Sequence, residues 1–146
     1  MTRGYQPDWD FDLARGERQE LLVEGILSRI RNGAEVEVKS DFYLNADLFM
    51  EVSDRRAGRD HYRDTGFRTS RSGLYVLNKP GLNVLHIYQT GDLRRLEAAA
   101  LLGPLLDGGM RGDCPTRGYR RTASQIDAAL AKLARGTDPL FDQDAS

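Results

Sequence analysis

Valines alternate with charged residues along Ala34-Glu35-Val36-Glu37-Val38-Lys39-Ser40. That is the period-two signature of a half-buried strand. Val36 and Val38 face one way, and Glu35, Glu37 and Lys39 face the other, about 7 Å between alternate residues. A second strand is expected over residues 44–53, with Leu48, Met50 and Val52 on one face and Phe49, Glu51 and Ser53 on the other. On an adjacent strand, Glu51 is able to approach Glu37 across the ladder if the register permits. Residues 73–78 and 82–88 read as a hairpin around Lys79-Pro80-Gly81.

Helical spacing of apolar residues marks three segments. The first starts near Asp10 or Asp12 and runs to about Ile30, with Leu13, Leu21, Leu22, Ile26, Leu27 and Ile30 as its stripe and Gly33 as its C-cap. The second runs from Thr90 as N-cap through 92–106, closed by Gly108-Gly109. The third covers 124–133, with Ile126, Ala129, Leu130 and Leu133. Residues 107–121 read as irregular, and 137–146 as an acidic tail. Helix, strands, hairpin, helix is the order of an α/β or α+β domain with a mixed central sheet flanked by helices.

At 146 residues one domain over 1–146 is expected, with a core over 10–106 and a helical extension and tail over 107–146. Hydrophobic content of 40% and charged content of 29% indicate a soluble globular chain. No apolar run approaches the length of a membrane span, and the N-terminus lacks an apolar signal core, so a cytoplasmic protein is expected. A single cysteine, Cys114, excludes an internal disulfide and a cysteine-based zinc site. His61 and His86 lie far apart in sequence, which argues against a histidine-ligated metal. The net charge of −1 conceals a bias: Lys39, Lys79 and Lys132 are the only lysines among 21 basic residues. In a chain that otherwise chooses arginine, a lysine at 39 suggests a specific need.

The charged face of the first strand offers chemistry. Carboxylates there can hold a hard cation such as Mg²⁺. The lysine can neutralise charge developing on a phosphate or orient a water. A solvated strand face with charge pairs is the plain alternative. Residues 54–64 form an arginine-rich polar stretch around His61-Tyr62, continued by Arg68 and Arg71. It reads either as a surface connection or as a nucleic-acid backbone clamp made of Arg55, Arg56, Arg59, Arg63, Arg68 and Arg71.

Several stretches together resemble small phage-type nucleases of the PD-(D/E)XK superfamily. They are Asp12-Leu13-Ala14-Arg15-Gly16-Glu17-Arg18-Gln19-Glu20, Glu35-Val36-Glu37-Val38-Lys39-Ser40-Asp41, Leu48-Phe49-Met50-Glu51-Val52, and Thr65-Gly66-Phe67-Arg68-Thr69-Ser70 followed by Leu74-Tyr75-Val76. The match covers about residues 10–96. The resemblance implies a restriction-endonuclease-like core and Mg²⁺- or Mn²⁺-dependent hydrolysis of DNA phosphodiesters. Glu20, Glu37 and Glu51 would be the metal ligands and Lys39 the catalytic ammonium, with Glu37 and Glu20 beside it. Asp41 matches an aspartate to which no role is assigned. The superfamily's Pro-Asp pair has no counterpart before Glu37, which leaves Glu35 and Glu51 as substitutes. DNA is the implied partner and no membrane is involved; a homodimer is one assembly consistent with the reading.

Two alternatives stand beside it. Gly73-Leu74-Tyr75-Val76-Leu77-Asn78 with Ile87-Tyr88-Gln89-Thr90 and Arg95 loosely resembles a GIY-YIG nuclease, in which two tyrosines and an arginine act with one metal-binding glutamate. The other is a nucleic-acid- or protein-binding module without catalysis.

Overall fold

The computed structural model of the protein describes residues 35–137 together with Leu21. The remainder of the expected helix over 12–30, with Glu20, and the tail from 138 lie outside the described residues. In chain order the strands are β1 (Val36–Ser40), β2 (Asp47–Asp54), β3 (Arg63–Asp64), β4 (Leu74–Lys79), β5 (Val84–Gln89), β6 (Leu106–Arg111) and β7 (Cys114–Thr122). The helices are α1 (Thr90–Ala98) and α2 (Ala123–Thr137). The class is mixed α+β, with two sheets and two helices among the described residues. None of those helices is long and apolar enough to cross a membrane.

The described residues divide into two compact units, 35–46 with 70–90 and 47–69 with 91–137. In the first, β4 is the centre of a three-stranded sheet, parallel to β1 and antiparallel to β5. Every residue of β4 is buried, as a strand flanked on both sides requires. Val36 and Val38 of β1 pack with Leu74 and Val76 of β4 on one face. The expected hairpin forms: β4 and β5 are joined by a 3-10 turn over Pro80–Leu82, and Asn83 takes the left-handed conformation that completes it.

The second unit holds an antiparallel sheet in the order β3-β2-β7-β6. Leu48, Met50 and Val52 of β2 are buried on one face, as their alternation predicts. A bulge after Glu51 lets both Val52 and Ser53 turn inward. Opposite Glu51 stands Gly118, and a Cβ there would come within 2.3 Å of the Met50 carbonyl oxygen. Only glycine lets β7 lie that close. Leu93 and Leu96 are the buried apolar residues of α1, and Ile126 and Ala129 those of α2. Reciprocal hydrogen bonds between Thr122 and Gln125, at 2.9 and 3.2 Å, cap the start of α2.

Three expectations are corrected. The second strand starts at Asp47, and it pairs with β3 and β7 rather than with β1, so Glu51 is not across a ladder from Glu37. The cause lies in the turn after β1. The Asp41 amide donates to Asn78 O at 2.8 Å and the Asp41 carboxylate accepts from the Tyr43 amide at 2.9 Å, which carries the chain along the end of β4 instead of back along β1. The helix expected over 92–106 ends at Ala98. Residues 107–121, expected to be irregular, lie mostly within the β6–β7 ladder.

Candidate functional site

The register of the first sheet builds a row of side chains on one face. Glu37 lies beside Tyr75, with Tyr88 one strand further on, and Lys39 lies beside Leu77, with His86 beyond it. Lys39 Nζ sits 3.0 Å from Glu37 Oε1. Their side chains are 46% and 27% exposed, so solvent reaches the pair. Among the described strands β1 is an edge, with β4 on one side only. Such an exposed pair contributes at most about 1 kcal/mol to stability, so its stabilising value is small. Glu35, just before β1, is exposed.

One residue past β1, Asp41 is held in place. Its Oδ2 accepts from Lys79 Nζ at 2.8 Å, while Lys79 also donates to Asn45 Oδ1 at 3.2 Å. Lys79 is 1% exposed. Asn78 Nδ2 donates to Ser40 Oγ at 3.2 Å and ties the same strand ends together. Charge alternation marked Glu37 and Lys39 in the sequence. Nothing local marked Lys79, which reads as a turn residue before Pro80.

In the second unit Glu51 is half-buried and accepts a hydrogen bond from Thr65 Oγ1 at 2.8 Å. Glu20, the remaining expected ligand, lies outside the described residues. No group of three histidine, cysteine, aspartate or glutamate side chains placed to hold a metal occurs among the described residues.

The arginines fall into two sets. Arg63 meets the fully buried Asp54 through Nε at 2.7 Å and Nη2 at 3.2 Å. That hydrogen bond raises the Arg63 pKa further. Arg68 meets Glu97 through Nε and Nη2 and Asp64 through Nη1. The bond to Glu97 raises Arg68 likewise. Burial pushes the Glu97 carboxyl up, but hydrogen bonds from Arg68 and Tyr119 outweigh it and hold it below its usual value. Burial and the bond to Glu97 raise the Tyr119 hydroxyl. Arg63 and Arg68 are thus engaged within the fold. Arg56, Arg59 and Arg71 are exposed and Arg55 is half-buried.

Arg117, which sequence reading passed over, stacks on the Tyr62 ring at 3.8 Å, with Arg55 at 5.9 Å from the same ring. The two lie 55 residues from Arg117 or more by chain but meet because β2 and β7 pair there. The tyrosines of the GIY-YIG reading are interior residues: Tyr75 is 1% and Tyr88 7% exposed. Its arginine, Arg95, is ion-paired with Asp92. Compared with protein-family models, with curated proteins and with solved structures, the chain matches none.

Proposed function

We propose that the chain is a small metal-dependent DNA nuclease with Glu37 and Lys39 of β1 at its reactive centre. The observation that supports it is the 3.0 Å contact between the two side chains, which solvent reaches, on a strand that is an edge among the described residues. Glu-x-Lys at strand spacing is also the centre of the resemblance. The Glu37 carboxylate is the hard oxygen donor that Mg²⁺ or Mn²⁺ takes, and β1 supplies no sulfur or imidazole to favour a softer ion. Glu37 therefore fits such an ion; Glu20 and Glu51 are ligands by the resemblance alone. A bound divalent cation would polarise the phosphodiester and acidify a water. Lys39, held by its carboxylate neighbour, places a positive charge where the phosphate gains negative charge on attack. Arg55, Arg56, Arg59 and Arg71 would supply contacts to DNA phosphates. The mixed sheet of β1, β4 and β5 is the part of a restriction-endonuclease-like core that this reading draws on.

The test is a cleavage panel of duplex, single-stranded and branched DNA with Mg²⁺, Mn²⁺ or EDTA. Glu37→Gln and Lys39→Met are expected to abolish metal-dependent cleavage while melting near the wild-type temperature. Full cleavage by a folded Lys39→Met variant would overturn the reading. A second reading, a nucleic-acid-binding module without cleavage, draws on the Arg117–Tyr62 stack, since arginine on an aromatic ring suits single-strand binding. Tight binding with no cleavage by the wild type in any metal would select it.

A further inference from the structure

Charge alternates along β1 and its continuation: Glu37, Lys39, Asp41. Strand spacing sets Lys39 about equally far, roughly 7 Å, from each carboxylate-bearing residue. A four-carbon ammonium arm can reach either side. It pairs with Glu37. The Asp41 carboxylate is already occupied, with Oδ2 accepting from Lys79 and Oδ1 from the Tyr43 amide. The register explains why Lys79 is there. Lys39 stands beside Leu77 and Ser40 beside Asn78, so Lys79 is next in the row.

A buried ion pair is a poor source of stability, because desolvation offsets most of the attraction, and an apolar pair of similar volume would serve the packing as well. Besides its bond to Asn45, a positive charge at 79 does something for the carboxylate row that an apolar side chain there could not. It neutralises the carboxylate that competes with Glu37 for Lys39. We infer that Lys79 is a positioning residue: by engaging Asp41, it leaves Lys39 committed to Glu37. The inference rests on the nuclease reading for what the Lys39–Glu37 pair does, and on geometry alone for how the pair is selected.

The test compares Lys79→Met, Asp41→Asn and the double variant, each assayed below its melting temperature. Reductive ¹³C-methylation of exposed amines labels Lys39 and Lys132, while Lys79 is closed to the reagent. In Lys79→Met the freed Asp41 carboxylate draws Lys39 away. The Lys39 methyl signal shifts, and metal-dependent cleavage falls by about a hundredfold, the effect of a misplaced catalytic group. Adding Asp41→Asn keeps Met at 79 but removes the competitor, so signal and cleavage return toward wild type. Asp41→Asn alone leaves Lys79 buried without its carboxylate and melts lower, yet keeps the wild-type Lys39 signal. A double variant as defective as Lys79→Met would overturn the proposal, since packing at 79 would then be the cause. An unmoved Lys39 signal in Lys79→Met would overturn it as well. A wild-type protein that cleaves nothing defeats the nuclease reading, while the methyl signals still decide the positioning.

Discussion

Arg68 and Glu97, 29 residues apart in sequence, close a two-pronged ion pair with N–H···O distances of 2.8 and 3.1 Å from Nε and 2.8 Å from Nη2. It joins the 3-10 turn over Gly66–Arg68 to α1, and both residues of the pair lie within the second unit. Both side chains are largely covered, at 26% and 19% exposure. Arg68→Ala removes the charged partner of Glu97, leaving only the Tyr119 hydroxyl, and is expected to cost about 2 kcal/mol, the range for hydrogen bonds to charged groups. Thermal or urea denaturation checks this.

The same cluster sets a pH dependence with two limbs. Glu97 has a lowered pKa in the fold, so its contribution is complete above the unfolded carboxyl value and is lost as pH falls through about 4 and below. Tyr119 has a raised pKa, so its contribution is complete below the unfolded phenol value and is lost as pH rises beyond about 10. Glu97→Gln should therefore flatten the acid limb of the stability curve, and Tyr119→Phe the alkaline limb. Urea midpoints measured from pH 3 to pH 11 decide both.

Engaged and exposed arginines should separate in DNA binding. Arg56→Ala and Arg59→Ala each remove an exposed charge and should lower the slope of log affinity against log salt by about 1, one phosphate contact fewer. Arg68→Ala, whose charge is already matched by Glu97 and Asp64, should leave the slope unchanged. Fluorescence anisotropy across a salt series measures this, and a flat response to all three would show that the stretch does not touch DNA.

The end of α1 offers a stabilising change. The Ala100 amide donates to Glu97 O at 3.0 Å and the Leu101 amide to Leu96 O at 2.9 Å. That double closure needs a left-handed residue between them, and Ala100 supplies it at φ 56°. Alanine is disfavoured there by about 1–2 kcal/mol. Ala100→Gly should raise stability by about 1 kcal/mol, read as a higher urea midpoint at unchanged slope.

This terminus also explains why the sequence misled. Ala98-Ala99-Ala100-Leu101-Leu102 is good helix material, and apolar spacing carries the expected helix on to Leu106, across the stop signal of Gly103-Pro104. The chain instead turns at Ala100 and buries Leu102. The β6–β7 ladder escaped for a complementary reason. Leu106-Asp107-Gly108-Gly109-Met110-Arg111 carries two glycines, and β7 is rich in arginine with Pro115 near its start. Neither has apolar alternation; both are strands because β2 supplies a template far away in sequence. Where burial on one face was encoded locally, as at Val36 and Val38, Leu48 to Val52, or Ile126 to Ala129, the reading held. At the candidate site Glu37 and Lys39 were legible from alternation, whereas Lys79, Asn45 and Arg117 depend on a turn and on pairings that no local pattern reveals.

The parallel pairing of β1 with β4 has a kinetic consequence. Ser40 and Asn78 are 38 residues apart, whereas β4 and β5 are joined by a single short turn. Closing the short loop takes microseconds, while the long one must first overcome more chain entropy. The β4–β5 hairpin is therefore expected to form first and β1 to dock on it afterwards. The surface that carries Glu37 and Lys39 would then be the last part of its sheet to appear during folding. It would also be the first to exchange its amide hydrogens when the native protein opens.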